Sequence, residues 1–306
     1  MEVLYLNDDI VTVVVLAYNS ENTLLDTLNS IYQQTYPNLN LIINDDCSTD
    51  KTVEIISKWI EENNNRFMNV MKIFNKKNMG ISKSFDNALK HSKTKWVKFI
   101  AADDILLKDC ISKNMMYINK MGIDTLLYSI SIPFKTNQNE IIYLPNDSYE
   151  IEYIYKVTQL PPNKQYRRLL KKDFQFSQTG FINSELYKLL GGIDTSIRNI
   201  EDWPLRLLYT SSGYKLYFMN TDTVMYRIDN SVSHSIEQYY NFAHIKQIKI
   251  IKQKLIYPKM PFYHFLFYAN EFAENVRYYL IIKLFHNKKN KITKIIAYST
   301  MIFDSN

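Results

Sequence analysis

Cysteine is nearly absent. The 306 residues hold two, Cys47 and Cys110. Two thiols cannot build a disulfide framework, and such sparse use is that of a chain kept in a reducing cytoplasm. The opening, MEVLYLNDDI, lacks the basic start and apolar stretch of a secretory signal. No segment approaches the ~18 uninterrupted apolar residues of a spanning helix. No fixed-period repeat or low-complexity tract is visible, which argues against a solenoid. His234, His244 and His264 show no metal-ligand spacing and read as surface or packing residues.

What is present is ordinary globular material: 46% hydrophobic and 22% charged, enough for one large α/β domain with an appendage. IVTVVVL, 10–16, is a β-branched run that reads as a strand buried on both faces. Residues 19–34 repeat Leu24, Leu25, Leu28 and Ile31 at helical spacing, with Ser20 as cap. LNLIIND, 39–45, is a second strand. The helix over 48–64 is expected to be capped by Ser48. A strand at 69–75, a helix at 81–92 and a strand at 95–102 follow. This alternation predicts a doubly wound, Rossmann-like, mostly parallel sheet flanked by helices. Its ligand crevice lies at the carboxyl ends of the strands, where AYNS, NDDCSTD, NKKNMG and AADD converge. Further on, DTLLYSI, EIIYLP, KLYFMN and TVMYRI read as strands, 180–194 as a helix ended by Gly191-Gly192, and EDWPLRLLYTSSGY as a helix start.

The net charge of +6 is largely a C-terminal property: between 245 and 295 only Glu271 and Glu274 oppose a series of lysines and Arg277. Such a bias suits an anionic partner. The stretch has no recognisable nucleic-acid module, so nucleic acid is not expected as a partner. A helix with an apolar face and lysine flank can lie on an anionic membrane surface; otherwise it packs on the core and shows its lysines to water.

The segment 11–56, with GISKSFDNAL, FIAADD, LLGGID, EDWPLRLL and YRIDNSVS after it, resembles family 2 inverting glycosyltransferases of the GT-A fold, in the family's order over about residues 10–235. The resemblance implies a catalytic domain over 1–235, with a nucleotide-binding half at about 1–105 and an acceptor half at about 106–235. A basic, aromatic-rich helical region, 236–306, would follow. It implies transfer from a UDP-sugar to a hydroxyl of a glycan, lipid-diphosphate-linked, in surface polysaccharide (O-antigen or capsule) synthesis at the inner face of the cytoplasmic membrane. The expected cofactor is Mn²⁺ or Mg²⁺.

Residue by residue, the likeness makes Ala17, Tyr18, Asn19, Asp46, Lys83, Ala102 and Asp103 donor-binding candidates. Tyr18 either stacks on the base or is a core aromatic. Asp46, and in second place Asp45, is a candidate to accept a uracil imide N–H, to cap the following helix, or to do both; Cys47 stands where glycine is usual. Lys83 either meets phosphate or base or is a solvated helix lysine. Asp103 is the expected metal ligand, since a divalent ion relieves the charge of a departing diphosphate, with Asp104 beside it; the plainer alternative for the pair is helix capping. Ala101 replaces a frequent aspartate. Asp202 is the expected base that takes the acceptor's proton, Glu201 is expected to raise its pKa, and Glu201 and Trp203 would meet the acceptor. The plainer alternative is a helix N-terminus rich in acids. Asp229 replaces a histidine and is a second metal candidate whose charge Arg227 would offset. Ala101 and Asp229 together motivate the alternative of a nucleotide-sugar-binding or scaffold protein without catalysis.

Overall fold

In the computed structural model, residues 9–137, 140–228, 242–260, 265–288 and 290–298 are described. The chain divides into two units, 1–229 and 230–306.

The β-branched run forms β1, Val11–Ala17, buried throughout but for Leu16. Burying each such side chain contributes about 1.5–3 kcal/mol. α1 (Leu24–Tyr32) turns Leu24, Leu28 and Ile31 onto the sheet. β2 (Leu39–Asp45), α2 (Thr52–Asn63), β3 (Asn69–Phe74), α3 (Ile81–His91) and β4 (Trp96–Ala101) complete the expected alternation. The first four strands run parallel in the order β3-β2-β1-β4. β1 lies between β2 and β4, with Ala17 beside Asp45 and Leu16 beside Ala101. The strand order reverses there, so the carboxyl ends of β1 and β4 flank the crevice that this topology opens.

The remainder extends the sheet with antiparallel pairings, except that β6 and β9 run parallel. Its elements are β5 (Ile105–Leu106), α4 (Cys110–Met121), β6 (Leu126–Asn137), β7 (Glu140–Tyr143), α5 (Ser148–Gln159), α6 (Pro162–Leu169), β8 (Phe181–Asn183), α7 (Ser184–Leu189), α8 (Asp202–Ser211) and β9 (Leu216–Arg227). The sheet continues β4-β8-β6-β9-β5, with β7 on β6.

Local expectations give way to tertiary demands in three places. KLYFMN and TVMYRI form one strand, β9, because pairing with β6 runs the whole length and absorbs two register shifts between Tyr128 and Ser131. The predicted helix over 180–194 opens as strand β8, because Phe181 and Ile182 fill the gap between β4 and β6. The predicted caps are not used. α1 starts at Leu24 after Thr23, and α2 at Thr52, whose N–H is met by Asp50 Oδ1 at 3.0 Å. Ser20 and Ser48 tie loops instead: Ser20 N–H donates to Thr52 Oγ1, and Ser48 Oγ accepts from Asn19 N–H, each at 2.8 Å.

In the second unit, α9 (Phe242–Ile251), α10 (Phe265–Leu284) and α11 (Lys291–Tyr298) carry the basic stretch. Its two acids are spent on one lysine: Lys252 lies 2.5 Å from Glu271 and 2.8 Å from Glu274, and Tyr257 Oη donates to Glu271 at 2.7 Å. Along α10, Phe265, Phe272 and Tyr279 recur every seven residues at 76%, 72% and 62% exposure. No described helix is long and apolar enough to cross a membrane.

Candidate active site

At the end of β1, Ala17 is buried and its carbonyl accepts Asp46 N–H at 2.8 Å. Tyr18 is 49% exposed, so it is not a core aromatic. Asn19 takes a positive φ of 47°, and its Oδ1 accepts Thr49 N–H at 2.8 Å, joining the β1 and β2 loops. Asp45 is buried and accepts from Ser48 N–H at 2.9 Å and from the Ser48 hydroxyl. Neither Asp45 nor Asp46 caps α2.

The Asp46 carboxylate already holds three donors: Asn75 Nδ2 at 2.9 Å and Met79 N–H at 2.8 Å on Oδ1, and Gly80 N–H at 2.8 Å on Oδ2. A carboxylate offers about four acceptor positions, so one on Oδ2 remains. Gly80 has φ 86°, and a Cβ there would lie 2.3 Å from Arg198 Cγ. Arg198 in turn donates to Asn78 O at 2.8 Å. The β3–α3 loop is thereby clasped to the segment that leads into Glu201. Lys83 is exposed on α3.

The Asp103–Asp104 pair follows β4. Ala102 is buried, its N–H on Leu16 O at 3.0 Å and its carbonyl accepting Thr23 Oγ1 at 2.8 Å. The pair caps no helix: α4 begins at Cys110, after Asp109. Asp104 is fully buried, and Arg227 N–H donates to its Oδ1 at 2.9 Å. Burial, reinforced by the charge of Asp103, pushes the Asp104 carboxyl well above the usual range. Asp103 is less enclosed. Burial raises it too, with its own backbone N–H and the Arg227 charge opposing. Arg227 Nε donates to Asp103 O at 2.8 Å, its NH2 pairs with Asp26 at 2.9 Å, and its guanidinium lies 4.6 Å from the Phe134 ring centroid. Arg227 therefore staples the backbone of the acid pair. Asp229, the expected second ligand, lies outside the described residues.

Among the described residues no three His, Cys, Asp or Glu side chains converge as a metal cage. Asp103 offers one carboxylate, and no described side chain hydrogen-bonds to it. That donor set fits a hard divalent ion completing its shell with phosphate oxygens and water.

The second acid pair opens α8. Asp202 Oδ1 accepts Trp203 N–H at 2.8 Å, and Oδ2 lies 3.2 Å from Arg206 NH1. Arg206 is fully buried. The same NH1 lies 2.7 Å from Asp173 Oδ2 and donates to Phe174 O at 2.9 Å, while Nε donates to Tyr128 Oη at 3.1 Å. Burial, then the charge of Asp202, pushes the Glu201 carboxyl up to about 8. Trp203 is 5% exposed and its Nε1 donates to Leu169 O at 2.8 Å, so it packs in the core and offers no face to a sugar. It faces inward because the first turn of α8 packs on α6.

A cleft of about 150 Å³ brings the two regions together. Leu16, Ala101 and Asp104 line it from the ends of β1 and β4, and Glu201, Asp202 and Leu205 from α8. Lys83 is not among its lining residues. Lys98, fully buried on β4, donates to Gln178 O at 2.6 Å and fixes another wall of the cleft. Burial lowers the Lys98 ammonium to about 8, against Cys110 and Asp104. The sequence reading missed Lys98, Asp173, Tyr128 and Arg206. Of these only Arg206 carried a signal, standing one helical turn after Asp202.

A sequence model described as glycosyl transferase family 2 matches residues 12–179. The putative teichuronic acid biosynthesis glycosyltransferase TuaG of Bacillus subtilis is 25% identical, over 73% of this chain and 81% of that protein. The Escherichia coli UDP-Glc:alpha-D-GlcNAc-diphosphoundecaprenol beta-1,3-glucosyltransferase WfaP is 26% identical, over 72% and 78%. The crystal structure of S. aureus TarS 1–349 in complex with UDP-GlcNAc superposes with a TM-score of 0.58 at 18% identity, covering 94% of this chain and 78% of that one. With the matched model spanning more than half the chain and the sheet order above, the protein belongs to glycosyl transferase family 2 and has the GT-A fold.

Proposed function

We propose that the chain transfers a sugar, with inversion, from a UDP-sugar to a hydroxyl of a lipid-diphosphate-linked glycan in surface polysaccharide synthesis. The observation that carries this reading is the cleft lined on one side by Asp104, next in the chain to Asp103, and on the other by Glu201 and Asp202. Exposed Tyr18 stacks on the base. The remaining acceptor position of Asp46 takes the uracil imide N–H. Asp103 holds Mn²⁺ or Mg²⁺, which neutralises charge on the leaving diphosphate when bound. Asp202 receives the acceptor's proton as the hydroxyl oxygen bonds to the anomeric carbon and the UDP oxygen leaves with the electron pair of the broken bond. Glu201, holding its own proton near neutral pH, donates a hydrogen bond to the acceptor.

The name of WfaP supports the acceptor class, that of TuaG supports polysaccharide synthesis, and the UDP-GlcNAc complex of TarS supports the donor class. The exposed Phe265, Phe272 and Tyr279, with exposed Lys283, Lys288 and Lys291, support a reading in which the second unit lies on an anionic membrane surface.

The test is UDP release from a panel of UDP-sugars with Mn²⁺ or Mg²⁺. Asp202→Asn abolishes release while calorimetry still shows UDP binding. Full activity of that variant refutes the base assignment. Tight UDP binding by the parent without release across acceptors points to the binding-protein alternative.

A further inference from the structure

Arg206 serves two carboxylates with one nitrogen. NH1 lies 2.7 Å from Asp173 and 3.2 Å from Asp202, so Asp173 is the tighter partner. NH2 is buried and has no hydrogen-bond partner. The guanidinium is closed in by the Phe174 ring at 4.2 Å and the Tyr128 ring at 5.0 Å, so water cannot compensate its charge. A buried cation that loses its counter-ion is strongly destabilised. A base whose sole partner is such a cation would resist protonation, because each proton it took would strand the cation.

We propose that Asp173 is a positioning residue for the transfer: it keeps Arg206 neutralised while Asp202 takes up and releases the acceptor's proton. The inference rests on Asp202 as the base. When Asp202 is ionised, Arg206 orients its carboxylate toward the cleft. When Asp202 is protonated, Arg206 leans on Asp173 alone. Burial and Asp202 push the Asp173 carboxyl up to about 7 while Arg206 holds it down, so the two acids compete for one cation. The ionisable groups facing Asp202 are Glu201 and Arg206 on α8, Tyr128 on β6, Tyr226 on β9, Asp173 after α6, and Asp104 across the cleft. Glu201 also feels the Arg206 charge, but of these acids only Asp173 joins Asp202 within ion-pair distance of Arg206.

The test follows the acid limb of the pH profile of kcat, read as UDP release from UDP-glucose or UDP-N-acetylglucosamine with Mn²⁺. Asp173→Asn leaves Arg206 to Asp202 alone and removes a neighbouring negative charge; the limb moves down by about one pH unit. Arg206→Gln removes the cation and moves the limb up by a similar amount. Packing damage alone lowers the plateau without opposite shifts. UDP affinity by calorimetry stays within a few-fold in both. If Arg206→Gln does not fold, the near-isosteric Asp173→Asn decides. A limb coincident with the parent's overturns the proposal. Asp202→Asn, run in parallel, separates the two readings: if it keeps parental turnover, the base assignment itself falls; if it is inactive and Asp173→Asn does not move the limb, only the role of Asp173 falls.

Discussion

The two acid pairs solve one electrostatic problem in different ways. Each places adjacent carboxylates beside a cleft, where they repel. Burial and the neighbour's charge raise Asp104 well above the usual range, further than burial raises Asp103, and push Glu201 up to about 8 in the second pair. The other member, Asp103 or Asp202, is left for chemistry. The difference lies in what holds the pair. Asp104 is tied by a backbone N–H of Arg227, which any residue but proline supplies, whereas Asp202 is tied by the buried guanidinium of Arg206. A strand-end pair can be fixed by sheet geometry. A helix-start pair, with free backbone N–H groups only on its own turn, recruits a side chain.

Replacing the outward member of either pair gives the largest effect. Asp202→Asn lowers turnover by about 10²–10⁴-fold, the ordinary worth of a general base, and Asp103→Asn abolishes the response of UDP release to Mn²⁺. Both should melt close to the parent; a large loss of stability in either would show that the outward member is structural after all.

The holding residues come next, and they should separate the pairs. In denaturant unfolding Arg206→Met costs about 3–5 kcal/mol, because two half-buried carboxylates lose a fully buried cation together with its hydrogen bonds to Tyr128 and Phe174. Arg227→Met costs less, about 1–2 kcal/mol, because its backbone N–H to Asp104 survives and the ion pair lost is with an exposed partner, Asp26. Equal losses would erase the distinction.

The smallest effect is one of pH. Folded Glu201 binds its proton up to about 8, whereas an unfolded glutamate releases it near its ordinary value of 4.5. Between these values the folded state carries more protons. Glu201 therefore contributes stability in full below about 4.5, and loses it as pH rises toward and through 8. Glu201→Gln should flatten that decline in melts taken across the same window.

Much of the nucleotide half was legible because its signals are local. Burial on both faces makes β1 a continuous β-branched run, and α1 shows its apolar face at helical spacing. Parallel strands need crossovers, so the alternation itself implied that AYNS, NDDCSTD and AADD share one edge. Less local matters were misread. Trp203 sits in an acceptor-like motif but turns onto α6, and no short-range pattern tells a buried indole from an exposed one. The merger of two strands into β9 and the opening of 180–194 as β8 depend on partners far off in the chain.

What the sequence determined by itself was the α/β class, the strand ends that gather the acids, and the family. Each follows from periodicity or from residues close in the chain. Only the tertiary structure decided that burial raises Asp104 and Glu201, what fastens Asp46 to Gly80, and that Asp173 shares the guanidinium of Arg206. These outcomes depend on burial and on groups 33 to 123 positions apart in sequence, brought within hydrogen-bond reach by the fold.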